Sequence, residues 1–237
     1  NEPLHLEIRP SYMNFIDVYL IKQGTSRHFW QSRMGDHVPA SQRPIKGSEQ
    51  VDRFPPLEAG DYVLVIRTKS NSTQFLMAKL WPTNQLVSSL TLRDSGLSIY
   101  FGVILMLGVV YIILGTLARD RAIAAYGSCV LSIGTLASSA SGLALSILQP
   151  EWPYANDLIV GGSNAMAAAA TIFLWFYILD LNRQNNVVAR IIKIYCVLSI
   201  ACALTATNNF YALYGTYIVP LHAVLLTTFC IVLAYRI

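Results

Sequence analysis

Residues 97–118 read LSIYFGVILMLGVVYIILGTLA, a run that carries no charge. At 1.5 Å per residue a helix of this length reaches about 33 Å, enough to cross a hydrocarbon core of about 30 Å. Four further apolar runs follow, at 122–148, 158–179, 191–212 and 217–235. The expectation is a membrane domain over 95–237 with about five helices. Lys193 is the only charged residue inside these spans, close enough to one end for its stem to reach the headgroups.

Upstream the solvent changes. Residues 1–96 hold 11 of the 17 Lys and Arg and 9 of the 13 Asp and Glu, in less than half of the chain. Leu4-His5-Leu6-Glu7-Ile8-Arg9 alternates strictly, the period of a half-buried strand. Residues 15–21, 62–67 and 75–81 are rich in β-branched and aromatic side chains, and Gly, Asn and Asp clusters punctuate the gaps. An all-β domain of sandwich or jelly-roll type is expected over 1–94. Four strands fall short of the roughly eight of a jelly roll, so part of this domain is expected upstream of Asn1.

Loop charge sets the orientation. Arg119 and Arg121, then Arg183, Arg190 and Lys193, then Arg236 all fall on one side of the expected spans, and the opposite loops carry no basic residue. By the positive-inside rule that side, with Ile237, is cytoplasmic, and the β domain lies outside. The mixed charges of the first half do not form a nucleic-acid surface. Cys129, Cys196, Cys202 and Cys230 all sit in apolar runs without metal spacing, which disfavours zinc and a disulfide framework. No phosphate loop, nucleophile motif or carboxylate pair stands out, so neither catalysis nor a cofactor is expected in this chain.

Small residues recur at helical spacing in Gly134, Ser138 and Gly142 and in Gly161, Ala165 and Ala169, stripes that suit close helix packing. His222 follows Pro220 in the last span and has no carboxylate at membrane depth. Asn164, Asn208 and Asn209 suit interhelical hydrogen bonds. In the β half His28, His37, Asp36 and Asp17 lack the spacing of metal ligands. Tyr12, Tyr19, Trp30 and Trp81 offer rings for stacking, although burial in a β core is the simpler use.

Phe29-Trp30, Gly35-Asp36, Pro39, Arg43, Phe54, Leu57, Gly60, Tyr62, Arg67 and Leu80-Trp81, running into a membrane helix that ends at Arg119-Asp120, form a combination. It resembles the bacterial seven-transmembrane receptors with diverse intracellular signalling modules, in the variant with a jelly-roll extracellular sensor. The resemblance implies a periplasmic sensor related to carbohydrate-binding modules and an inner-membrane bundle of seven helices. It also implies a cytoplasmic output, commonly a diguanylate cyclase or a histidine kinase, that works as a homodimer. The chain departs from that pattern at the sensor's start, in the number of spans and after Ile237, where no output domain follows.

The expectation is thus a signal-transduction receptor for a periplasmic, carbohydrate-like ligand. Trp30, Asp36, Arg43 and Trp81 are candidates for binding it, and Arg93, Asp94 and Gly96 for coupling sensor to bundle. The alternative is a transporter or channel-like protein with an accessory outer domain. It is weakened by the absence of the intramembrane ionisable groups that transport usually employs.

Overall fold

The structure is a computed structural model, described here for residues 2–24, 28–70, 75–180, 186–203, 220–228 and 231. Two compact units emerge: residues 1–99 together with 138–156, and residues 100–137 together with 157–237.

Among the described residues, the first unit has six strands in two antiparallel sheets. β1 (Leu4–Arg9) is the centre of one sheet, between β4 (Gln50–Arg53) and β6 (Met77–Pro82). β2 (Phe15–Lys22) is the centre of the other, between β3 (His28–Met34) and β5 (Tyr62–Lys69). The period of two does the sorting. Leu6 and Ile8 from one sheet, and Ile16, Val18 and Leu20 from the other, meet in a core completed by Met13, Met34 and Phe54. Each such side chain contributes about 1.5–3 kcal/mol on burial.

β3 and β4 correct the sequence reading, which counted four strands. Each mixes polar and charged residues into the strand, HFWQSRM and QVDR, so neither has an apolar run to betray it. Pairing to β2 and β1 recruits them. β6 starts at Met77, leaving Phe75 and Leu76 outside the ladder.

Gly35 ends β3 at φ 129°, and a Cβ there would collide with the backbone carbonyl of Asn14. This close approach lets Asp36 N–H donate to Met13 O at 2.9 Å and His37 N–H to Asn14 O at 3.2 Å. Glycine is the residue that tolerates both demands.

α1 (Thr83–Leu117) begins directly after β6, well before Leu97. Leu86, Leu90 and Arg93 recur at the helical period, so the stretch expected to link sensor and bundle is itself helical. α2 (Arg121–Ala140) is capped by Asp120, whose Oδ1 accepts from the N–H groups of Ala122 and Ile123 at 2.8 and 3.2 Å. The expected continuous span 122–148 is broken. Gly142 adopts φ 80°, its N–H donates to Ser139 O, and a short α3 (Leu143–Leu148) follows. α4 (Ala155–Ile178) and α5 (Asn186–Ala203) come next, and residues 220–228 are helical. Among the described residues, α1, α2 and α4 are long and apolar enough to cross a membrane. The expected span ends at 204–219 and 232–235, and Asn208 and Asn209, lie outside the described residues.

In the second unit glycines set a tight α1–α2 seam. A Cβ on Gly115 would press on the Ala124 backbone, one on Gly127 on Gly108 O and Ile112 N, and one on Gly134 on Ile104. Gly161, Ala165 and Ala169 are buried on α4, and Ala169 packs with Ile172, Phe176, Ile192, Tyr195 and Cys196. His222 Nδ1 lies 3.0 Å from the Tyr195 hydroxyl, a pairing that gives the ring a structural place.

Gly35→Ala is expected to destabilise the β-sandwich by about 2 kcal/mol or more, because it combines left-handed strain with a backbone clash. Thermal unfolding of the detergent-solubilised chain, followed by tryptophan fluorescence, measures it; an unchanged midpoint would contradict the geometry.

Candidate functional site

The four residues nominated for ligand binding fall in three places. Trp30 packs on Phe54, ring centroids 5.0 Å apart, at the margin of the sandwich core. Trp81 lies on the opposite side of the β1 sheet from Leu6 and Ile8, donating its indole N–H to Glu7 Oε2 at 2.6 Å, with Lys79 Nζ 5.4 Å from its ring. Asp36 and Arg43 belong together in the loop after β3, where Arg43 donates to Val38 O at 2.8 Å and Asp36 O at 3.1 Å. Arg43 therefore folds the loop around its own carbonyls, and its burial lowers its hold on the proton.

That loop is seated on residues about a hundred or more positions later, between Ser139 and Asn156. Asn156 Nδ2 donates to Asp36 Oδ2 at 2.8 Å, and the Ser139 hydroxyl donates to Asn156 Oδ1. Ser41 donates through both its N–H (3.0 Å) and its hydroxyl (2.7 Å) to the Glu151 carboxylate. Ala40 N–H reaches Pro150 O at 3.1 Å, and the His37 ring meets Tyr154 edge-on at 5.0 Å. His37 is fixed from behind by Asn14 Nδ2, which lies 2.6 Å from its Nε2. The α2–α4 connection is thus part of the sensor unit, where the sequence reading had left it with the bundle.

A second, charged cluster lies in the same unit. Glu49 Oε1 is shared by Arg93 Nη2 at 2.8 Å and Arg9 Nε at 3.3 Å. Arg9 also pairs with Glu7 at 2.7 Å. Arg93 goes on to donate to the Ser48 hydroxyl at 2.9 Å and to Ser141 O at 2.8 Å, while Ser48 donates to Asp94 Oδ1 at 2.6 Å. Gly142 lies against Ser48 O with no room for a Cβ, so this glycine serves a contact with the β domain and not a helix-packing stripe. One guanidinium on α1 therefore joins the segment before β4 to the break after α2, and reaches β1 through the Glu49 that Arg9 shares.

Glu49 is the buried centre, its side chain 3% exposed. Burial pushes its carboxyl up to about 7, against the pull of Arg93 and then Arg9, with Glu7 and Asp94 adding to the rise. Of the residues proposed for coupling, Arg93 and Asp94 stand in this network; Gly96 is exposed and a Cβ there would meet nothing within 4 Å.

Sequence reasoning passed over Glu7, Arg9, Ser48, Glu49, Glu151 and Asn156. The alternation in β1 predicts a half-buried strand with one polar face, yet Glu7 on that face is 2% exposed, almost as buried as Leu6 and Ile8. The available signal was charge within a strand: two opposite charges on one face of a central strand call for partners. Asn156 and Glu151 carry no comparable mark, because their partners lie more than a hundred residues away.

A family model described as 7TM diverse intracellular signalling matches residues 94–237, well over half of the chain. A second, described as 7TMR-DISM extracellular 2, matches residues 1–82. No curated protein and no solved structure matches the chain.

Arg93→Ala removes the donors to Glu49, the Ser48 hydroxyl and Ser141 O, and is expected to cost the sensor unit about 1.5–3 kcal/mol, the usual loss for hydrogen bonds made by a charged group. Adding Glu49→Gln should recover part of that loss, which a double-mutant cycle on thermal midpoints would detect. Additive effects would mean the pair is not coupled.

Proposed function

The chain belongs to the family of seven-transmembrane receptors with diverse intracellular signalling, and on that premise we propose that it senses a carbohydrate-like ligand at the outer face of a bacterial inner membrane. A membrane receptor involved in signalling is what the two matched domains make it. The finer reading assigns the β-sandwich to the periplasm and the ends after α1 and α4 to the cytoplasm. Occupancy then reaches a cytoplasmic output, a diguanylate cyclase or a histidine kinase, through a homodimer.

The observation that supports the signalling part is that the start of α1 and the α2–α4 connection belong to the sensor unit itself, bonded within it through Arg93, Ser139, Ser141 and Asn156. A ligand that distorts the loop at Asp36 or the segment at Glu49 has polar contacts through which to act. It shifts an equilibrium only by the difference in its affinity for the two states. Orientation rests on the six basic residues of the second half, all on one side of the expected spans. The carbohydrate-like chemistry follows the relation to carbohydrate-binding modules that the family resemblance implies, and the partly exposed Trp81, whose ring suits stacking on a sugar, is consistent with it.

In nanodiscs, the chain is expected to bind periplasmic oligosaccharides saturably by calorimetry. Arg93→Ala should leave that binding within about threefold while abolishing ligand-induced change in the helices, read by spin labels on α1 and α2. Solute flux through liposomes, without saturable binding, would favour a transporter instead. In intact cells, Trp152→Cys should react with an impermeant thiol reagent and Arg121→Cys should not; the reverse pattern would overturn the orientation.

A further inference from the structure

Three carboxylates and two guanidiniums make up the charged cluster of the first unit. Glu7 and Arg9 come from β1, Arg93 and Asp94 from α1, and Glu49 from the segment before β4. Fully ionised, the group carries one negative charge in excess. Glu7 spreads its charge over Arg9 and the Trp81 indole, and Asp94 is over a third exposed and bonded by Ser48. Glu49 is more poorly served. Only its Oε1 is engaged; its Oε2 is buried and, among the described residues, accepts no hydrogen bond. A buried carboxylate oxygen without a donor is costly, and a proton on that group removes the cost.

We propose that Glu49 is a proton-binding site that controls the junction: protonated, it allows residues 48–50, Arg93 and the Ser141–Gly142 turn to close on one another, and ionised, it drives them apart. The groups facing it are Arg93 and Asp94 from α1, Glu7 and Arg9 from β1, and the Ser48 hydroxyl and Ser141 carbonyl around Arg93. The two guanidiniums do not offset the loss of water, so the closed junction holds its proton up to about pH 7, where a solvated carboxyl releases it near 4.5. Protons therefore bind the closed form more tightly than an open one. Closure gains as pH falls from about 7 towards 4.5, and is opposed above 7. Acidification strengthens this contact, contrary to the expectation that losing a carboxylate loosens a salt bridge. The proposal rests on the receptor reading only for its consequence, a sensor whose set point follows the pH outside the membrane.

The test uses the full chain in nanodiscs. pH-difference infrared spectra should show a carboxylic acid band that titrates near pH 7 and is missing in Glu49→Gln. Spin labels on Lys46→Cys and Ala140→Cys, with Cys129, Cys196, Cys202 and Cys230 replaced by Ala, report the closure. They should lie closer at about pH 5.5 than at about pH 8.5, and with Glu49→Gln should stay close at both. A wild-type label distance that ignores pH, a pH response that survives Glu49→Gln, or the lack of the titrating band would each overturn the proposal. Failure to bind oligosaccharide would strike the carbohydrate-sensing reading and leave these three measurements unaffected.

Discussion

A charge taken out of water must be met by opposite charge and hydrogen bonds, or it will not stay buried. That constraint organises the first unit more than its hydrocarbon core does. Once Glu49 and Glu7 are enclosed, Arg9 and Arg93 must be brought to them, and Arg93 cannot come without α1. The guanidinium's remaining donors then fix Ser48 and the Ser141 carbonyl. Apolar burial holds two sheets together but says little about which helix lies where. The ion cluster, directional at each contact, does the specifying.

The polar loop contacts complement it with hydrogen bonds from neutral donors to the Asp36 and Glu151 carboxylates. Asn156 both donates to Asp36 and accepts from Ser139, so one amide reads two partners at once. Glu151 does the same for the backbone and hydroxyl of Ser41. Each such bond contributes about 1 kcal/mol net, while leaving a buried partner unmet costs more. Contacts of this kind favour one arrangement without making it permanent, a property that a receptor element requires.

What the sequence disclosed follows physical lines. Leu4–Arg9 was legible from its alternation, and residues 62–67 from their β-branched and aromatic content. His28–Met34 and Gln50–Arg53 were not, since their strand character comes from neighbours that pair with them. The apolar run from Leu97 announced a membrane helix, yet the first two turns of α1 are polar enough to pass for a linker. Gly142 looked like one member of a helical stripe; only its left-handed backbone and the proximity of Ser48 reveal a turn. Arg93 and Asp94 were recognisable from position alone, just before lipid. Their partners Ser48 and Glu49 were not, because they precede β4 in a stretch with no alternation to mark their burial.

β1 presents oil to one side and ions to the other: Leu6 and Ile8 inward, Glu7 and Arg9 outward, in the middle of its sheet. A slip of one position against β4 or β6 would plunge a carboxylate into the hydrocarbon interior and expel a leucine into the salt lattice, two penalties for a single error. Short insertions or deletions in this hexapeptide should therefore be purged during divergence, while the outward side of β5, where Val63 and Val65 are exposed, is left free to drift.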